Sequence, residues 1–193
     1  MVYFYLLGAF LLGSLPSAYI LTRLFIGRDI RGIGSGYAGG MNVMRNIHWL
    51  PGVLTIMLDS FKGFLAIKMT LHGSLDGLTW LPWAAAFLTV SGHNWSFLLR
   101  GKGGKGIAVS FGCLLAFGIW PPIVLAAAMA FAIWLLKDTN TGSAAGMIVL
   151  PFISWFNSYN IWGVFLAIFW IIAVWFSHSP DIIAYRGGKR SFF

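Results

Sequence analysis

The chain has 193 residues, of which 59% are hydrophobic, 17% aromatic and 9% charged, whereas a soluble domain is about 25% charged. Its net charge is +8, and three runs carry no Asp, Glu, Lys or Arg: residues 1–22, 106–136 and 139–177. Since about 20 consecutive apolar residues can cross a bilayer, these runs exclude a soluble enzyme, a nucleic-acid-binding module and a disordered chain. They indicate an all-α, polytopic membrane protein.

Seven apolar segments follow one another along the chain, and each is expected to be a transmembrane helix because a membrane leaves backbone groups no water to bond. Their predicted bounds are 2–21, 49–70, 78–91, 107–120, 122–136, 143–156 and 161–177. The pair Pro121-Pro122 is expected to break the run 106–136 into two helices that form a hairpin. One kinked helix over this run is the alternative, because segments four to six are short for a hydrocarbon core of about 30 Å.

The distribution of basic residues favours seven segments. With seven, 11 of the 13 basic residues fall on one side of the membrane, whereas merging the hairpin separates Lys105 from Lys137. The positive-inside rule then predicts an outside N-terminus and a cytoplasmic C-terminus. The 11 residues are Arg23, Arg28, Arg31, Arg45, Arg100, Lys102, Lys105, Lys137, Arg186, Lys189 and Arg190.

The first polar motif covers residues 28–45, between the first two segments, and combines glycines with arginines. Ser35 and Gly36 belong to a Gly-Ser-Gly sequence, in which backbone N–H groups can converge on an anion. Asn42 adds a side-chain donor, and Arg45 can form a bidentate bond with phosphate. The alternative is a flexible basic loop on anionic lipid headgroups.

The second polar motif ends in Gly103, Gly104, Lys105 and Gly106, directly before a predicted helix. A helix N-terminus beside a lysine is suited to bind phosphate. The spacing of a P-loop is absent, which excludes ATP hydrolysis of that kind. The alternative is a cytoplasmic turn whose lysine only follows the positive-inside rule. This alternative would explain the lysine but not the glycines beside it.

Polar residues outside these two motifs form three further features. Asp59 and Lys62 share one face of the second segment, and a structural ion pair is favoured over direct catalysis. Ser143 follows a short hydroxyl-rich stretch, where Thr141 or Ser143 is the expected N-cap of the next helix. His178 follows the last segment and is a candidate base, a phosphate ligand or an ordinary boundary residue. The single cysteine, scattered histidines and absence of glutamate predict no metal site.

Together these motifs resemble the PlsY family of bacterial integral-membrane acyl-phosphate:glycerol-3-phosphate acyltransferases. The resemblance covers nearly the whole chain, with matching order and spacing. It rests on Gly13-Ser14-Leu15-Pro16, Asp29-x-Arg31-x2-Gly34-Ser35-Gly36, Asn42-Val-x-Arg45, Leu58-Asp59-x2-Lys62-Gly63, Gly92-His93, Gly103-Gly104-Lys105-Gly106 and His178-x2-Asp181-Ile182.

The resemblance implies one acyltransferase domain over residues 1–193 in a bacterial inner or plasma membrane, with a cytoplasmic active site. The implied reaction transfers a fatty acyl group from acyl-phosphate to the 1-hydroxyl of glycerol 3-phosphate, without cofactor, nucleic acid or obligate protein partner. The residues expected to be catalytic are Lys105, His178 and Ser143. Those expected to bind substrate are Ser35, Gly36, Asn42, Arg45, Gly103, Gly104, Gly106 and Asp181.

Several positions depart from the family pattern and predict a divergent member. Tyr37 and Asp181 stand where the family usually has Asn, Gly40-Met41 replaces Ala-Thr, Ala184 replaces Arg, and Arg190 replaces Glu. The change to Asp181 adds negative charge where a phosphate should approach. Two alternatives therefore stay open: a different acceptor, and a non-catalytic membrane protein that binds or transports lipid phosphates.

Overall fold

The structure is a computed structural model that describes residues 1–72, 77–158 and 160–188. The described residues form eleven α-helices and three short 3-10 turns. The helices are α1 (Val2–Ser14), α2 (Ser17–Ile26), α3 (Gly40–Asn46), α4 (Trp49–His72), α5 (Leu81–Asn94), α6 (Ile107–Phe117), α7 (Trp120–Leu136), α8 (Thr139–Gly146), α9 (Leu150–Ser158), α10 (Ile161–Ser177) and α11 (Ser179–Arg186). The all-α prediction is confirmed. Lys189 and Arg190, which the charge argument used, lie outside the described residues.

Two helical stretches of the described chain are long and apolar enough to cross a membrane, Val2–Ile26 and Trp49–His72. The first is longer than the predicted segment 2–21, and it is broken between α1 and α2 at Leu15-Pro16. The proline imposes this break because it has no backbone N–H to donate to the preceding turn. A third candidate is the pair α10 and α11, which meet at an angle of 61°.

The run 106–136 is divided into two helices, as predicted, but the break lies at a different place. Helix α6 ends at Phe117, and Gly118 follows with a φ of 139°. Pro121 and Pro122 do not form the break, since they occupy the first turn of α7. A proline is tolerated there because the first N–H groups of a helix have no intrahelical partner.

The sixth predicted segment, 143–156, is two helices joined by a 3-10 turn at Met147–Val149. Its N-cap is neither Thr141 nor Ser143. Asp138 caps α8, because its carboxylate accepts a hydrogen bond of 2.6 Å from the backbone N–H of Thr141. The helix therefore begins four residues before the predicted segment, at Thr139.

The helices pack closely through glycines. A Cβ on Gly112 of α6 would collide with the backbone of Ser60, and one on Gly63 of α4 would collide with the backbone of Val109. In a membrane the lipid tails are as apolar as the helix surfaces, so the hydrophobic effect does not drive two helices together. Small residues instead let the two backbones approach closely and gain van der Waals contacts. Beside this contact, Trp170 of α10 donates a 3.0 Å hydrogen bond to the hydroxyl of Ser110.

We expect Gly112→Ala to destabilise the protein by about 1–3 kcal/mol, because the added methyl group overpacks the contact between α4 and α6. Gly8→Ala is the matched control, since Gly8 also lies in a helix but its Cβ would meet no atom within 4 Å. Thermal unfolding in detergent measures both variants. Equal unfolding temperatures for the two would contradict the close packing.

Candidate active site

A cavity of about 1200 Å³ lies at one end of the bundle, where the first and second polar motifs meet a third, the stretch around His178. Each motif therefore contributes to one site, although they are far apart in the chain. The lining residues are Asp29, Arg31, Gly32, Ser35, Gly36, Tyr37, Asn94, Trp95, Leu98, Leu99, Arg100, Gly101, Lys102, Gly103, Gly104, Phe176, Ser177, Ser179 and Pro180.

Asn42 shapes the first loop from inside. Its side-chain amide donates to the carbonyl oxygens of Ile33 at 3.0 Å and Tyr37 at 2.9 Å, and its Oδ1 accepts from the backbone N–H of Ser35 at 3.1 Å. Because Asn42 is buried and its groups bond to the protein, it fixes the position of Ser35 in the cavity wall. Direct contact with substrate stays a prediction for this residue.

The glycine turn of the second motif lies directly against the end of α5. The backbone N–H of Gly103 donates to the carbonyl of Asn94 at 3.1 Å, and that of Gly104 donates to the carbonyl of His93 at 3.0 Å. A Cβ on either glycine would collide with α5, so the turn requires these glycines. The carbonyl of Gly103 also accepts from Ala38 at 3.0 Å, which joins the two loops.

Gly106 is the last residue of the turn and the N-cap of α6. Its φ of 85° is one that residues with a side chain rarely adopt. The predicted helix start after Lys105 is thus confirmed. Glycine is favoured here because the left-handed region has no steric cost for it.

Behind the turn, Lys62 is the centre of a buried polar cluster. Its Nζ lies 2.8 Å from Oδ1 of Asp59, 2.8 Å from the carbonyl oxygen of Leu15 and 3.0 Å from Nδ1 of His93. An ammonium only donates, so Nδ1 of His93 accepts and the ring is neutral. The predicted ion pair of Asp59 and Lys62 is confirmed. Both side chains are buried, and Lys62 also bonds to groups of the protein.

Lys105 is held at the edge of the cavity by a carboxylate and an aromatic ring. Its Nζ lies 2.7 Å from Oδ2 of Asp181 and 4.7 Å from the centre of the Tyr37 ring. Burial raises the pKa of the Tyr37 hydroxyl, and the carboxylate of Asp181 raises that pKa further. The structure therefore brings together Lys105 and Asp181, which the sequence assigned to different roles.

His178 is buried between α10 and α11, and its Nδ1 lies 2.9 Å from the carbonyl oxygen of Val174. A carbonyl only accepts, so Nδ1 carries the proton and Nε2 has the free lone pair. Burial, the largest cause, lowers the pKa of this imidazole below its usual value. In its neutral form His178 can therefore accept a proton at Nε2.

A second ion pair braces the cavity wall. Arg31 forms a bidentate contact with Asp29, with a shortest distance of 2.6 Å, and donates to the carbonyl of Leu99 at 3.0 Å. The hydrogen bonds from Arg31 lower the pKa of the Asp29 carboxyl. Asp29 therefore stays ionised, and Arg31 ties the first loop to the second.

Four predicted site residues line the cavity, Ser35, Gly36, Gly103 and Gly104, and the other seven are not among its lining residues: Asn42, Arg45, Lys105, Gly106, Ser143, His178 and Asp181. Arg45 is exposed on α3, and Ser143 is half-buried on α8. Conversely, Asn94 lines the cavity although the sequence analysis did not select it. Its side-chain amide donates to the carbonyl of Ala173 at 3.2 Å, which joins α5 to α10. Its position next to His93, in the second motif, was the available signal.

Comparison with known proteins decides the family. The family described as "Glycerol-3-phosphate acyltransferase" matches residues 3–188 of this chain. The chain belongs to the glycerol-3-phosphate acyltransferase family. A curated relative from Prochlorococcus marinus (strain MIT 9312), named glycerol-3-phosphate acyltransferase, is 34% identical over 188 residues, which cover 95% of this chain and 93% of the relative.

Two solved structures of PlsY have the same fold. The glycerol 3-phosphate form of this integral membrane glycerol 3-phosphate acyltransferase matches with a TM-score of 0.88 and 25% identity, covering 100% of this chain and 95% of that chain. The lysophosphatidic acid form matches with a TM-score of 0.85 and 24% identity, with the same coverage. Together with the apolar helices, this similarity identifies the chain as a membrane protein of the PlsY type.

We expect Lys62→Met to destabilise the protein by about 3–5 kcal/mol, because it leaves the buried carboxylate of Asp59 unpaired. The double variant Asp59→Asn/Lys62→Met should be more stable than Lys62→Met, since it buries no unpaired charge. Thermal unfolding in detergent compares the two. If the double variant unfolds at the same temperature as the single one, the ion pair is not the reason for the loss.

Proposed function

We propose that this chain transfers a fatty acyl group from acyl-phosphate to the 1-hydroxyl of glycerol 3-phosphate, giving lysophosphatidic acid and inorganic phosphate. The observation that carries the proposal is the cavity into which the Ser35-Gly36 loop and the Gly103-Gly104 turn both open. Both substrates carry phosphate, and two glycine-containing basic loops offer two places for it. The family membership and the glycerol 3-phosphate and lysophosphatidic acid forms of the two PlsY structures support the same reaction.

The proposed donor fits a site at the end of an apolar bundle. Acyl-phosphate is a mixed anhydride that is reactive without ATP or a thioester. Its acyl chain can lie along the exposed apolar side chains of the helices, such as Phe176 and Leu98, which line the cavity. Its phosphate then reaches the basic loops.

In the proposed mechanism the 1-oxygen of the acceptor attacks the acyl carbon, and the bond between that carbon and the phosphate oxygen breaks. The phosphate leaves with the bonding electron pair. The Ser35-Gly36 loop and the Gly103–Gly106 turn are proposed to surround one phosphate, and Lys105 stabilises the charge that develops on the leaving group. Arg45 is proposed to hold the other phosphate.

The hydroxyl proton needs an acceptor, and His178 is the proposed base or orienting residue. Its free Nε2 lone pair suits this role, because Val174 fixes the proton on the other nitrogen. The phosphate of a substrate is the alternative base. Ser143 stays a predicted catalytic residue that lies on α8, outside the cavity lining.

We expect Lys105→Ala to lower turnover by at least about 100-fold, because the charge on the leaving phosphate loses its preorganised cation. The measurement is phosphate release from acyl-phosphate by purified protein, with and without glycerol 3-phosphate. Lys68→Ala is the control, since it removes a basic residue from the far end of α4, where Lys68 lies over the ring of Phe64. Retained activity in folded Lys105→Ala protein would remove Lys105 from the mechanism.

We also propose the seven-span topology, with the cavity on the cytoplasmic side. A hydrogen bond of 2.5 Å joins Asn160 to Thr79. They lie just before α10 and α5, at the helix ends that the topology assigns to the opposite side from the cavity. The single cysteine, Cys113, is buried, so introduced cysteines can be labelled selectively. Arg100 and Lys102 line the cavity in the loop assigned to the cytoplasm.

In intact cells stripped of their outer membrane, we expect a membrane-impermeant maleimide to label Thr79→Cys and not Lys102→Cys, because Thr79 faces the outside in this topology. Both positions are exposed, and lysis should make Lys102→Cys reactive. The unmodified chain, with buried Cys113 alone, is the control for background labelling. The reverse labelling pattern would invert the topology.

A second candidate keeps the acyl transfer and changes the acceptor. The observation that favours it is the contact of Asp181 with Lys105, which weakens the attraction of that lysine for phosphate. Phosphate release that requires Lys105 but is not stimulated by glycerol 3-phosphate would support this candidate. Release stimulated by glycerol 3-phosphate would reject it.

A further inference from the structure

Two departures from the family pattern meet on one side chain. Tyr37 lies in the loop before α3, and Asp181 lies in the first turn of α11. The ring of one and the carboxylate of the other contact the same Nζ of Lys105, at 4.7 Å and 2.7 Å. The ammonium of the proposed catalytic Lys105 therefore already contacts two side chains of the protein.

The surroundings strengthen this contact. The side chains of Lys105 and Asp181 are only 17% and 19% exposed, so water screens their attraction less than it would on an open surface. The aromatic ring of Tyr37 adds a cation–π interaction with the same ammonium. Lys105 is therefore held in one position before any substrate arrives.

A phosphate that approaches Lys105 meets the carboxylate of Asp181 at the same cation. The two anions repel each other, and the ammonium has only three N–H donors to share. We propose that Asp181 is a specificity-determining residue: its carboxylate competes internally for Lys105, and a phosphate group binds there by displacing it. The proposal rests on the proposed function only for the identity of the phosphate compounds.

The phosphate at Lys105 belongs either to acyl-phosphate or to glycerol 3-phosphate. Both present the same chemistry to the ammonium, so a kinetic experiment has to separate them. Each substrate is varied in turn while the other is saturating. The substrate whose KM responds to Asp181 is the one that displaces it.

The central variant is Asp181→Asn, which keeps the shape of the side chain and removes its charge. We expect the KM of one phosphate substrate to fall about fivefold, the size of effect that a partly exposed ion pair provides. Inorganic phosphate, as a competitive inhibitor, should bind more tightly by a similar factor. Asp181→Ser removes the charge with a different side chain and should shift both values in the same direction.

Asp29→Asn is the matched control, because Asp29 lines the same cavity but pairs with Arg31 instead of Lys105. A general effect of negative charge would lower the KM in this variant as well, and that result would overturn the proposal. Asp181→Asn should no longer lower the KM when it is combined with Lys105→Gln, because the cation for which carboxylate and phosphate compete is then absent. A lower KM that persists in that combination would likewise overturn it.

Calorimetric titration of purified protein with inorganic phosphate separates this proposal from the proposed function. Tighter phosphate binding by Asp181→Asn than by the unmodified chain supports internal competition, whether or not the protein transfers an acyl group. Equal binding in folded protein overturns it. Failure of the acyl transfer is read separately, from phosphate release by the unmodified chain.

Discussion

The rest of the site depends on the contacts that the ammonium group of Lys62 makes. It bonds the carbonyl of Leu15 where the first span breaks, the carboxylate of Asp59 one turn earlier on α4, and the ring of His93 on α5. The backbone carbonyl of His93 then holds the N–H of Gly104, next to Lys105. One buried cation thus connects three helices to the turn that presents the proposed catalytic lysine. Because Asp59 and His93 lie in helices and Leu15 is the C-cap of α1, the position of the turn does not depend on loop contacts alone.

A buried ion pair is a poor source of stability, because desolvating two charges offsets most of their attraction. Its value here is geometric. The helices around it approach closely at glycines: a Cβ on Gly13 would collide with the backbone of Thr89, and one on Gly92 with the carbonyl of Phe10. Such smooth surfaces pack well but leave rotation and sliding weakly specified. We interpret the Asp59–Lys62–His93 cluster as the element that selects one register among them.

The sequence predicted what depends on local pattern, and it missed what depends on contacts between distant residues. Hydropathy or helical spacing accounts for the bounds of α4, the division of residues 106–136 into α6 and α7, and the ion pair of Asp59 and Lys62. The N-cap of α8 was misplaced because Asp138 is as good a cap as Thr141, and only the backbone path decides between them. The bond from Lys62 to Leu15 and the meeting of Tyr37 with Asp181 across Lys105 have no local signature.

Three aspartates of this chain share one physical use. Asp29, Asp59 and Asp181 each pair with a basic residue at or behind the cavity. The first two orient cations that brace the framework. Arg100 and Lys102 line the cavity as well, and they keep its potential positive even while Asp181 holds Lys105. Attraction of phosphate into the cavity and its final binding at Lys105 are therefore separate steps, because long-range attraction depends on the summed charge. A carboxylate at position 181 can change the second step and leave the first intact.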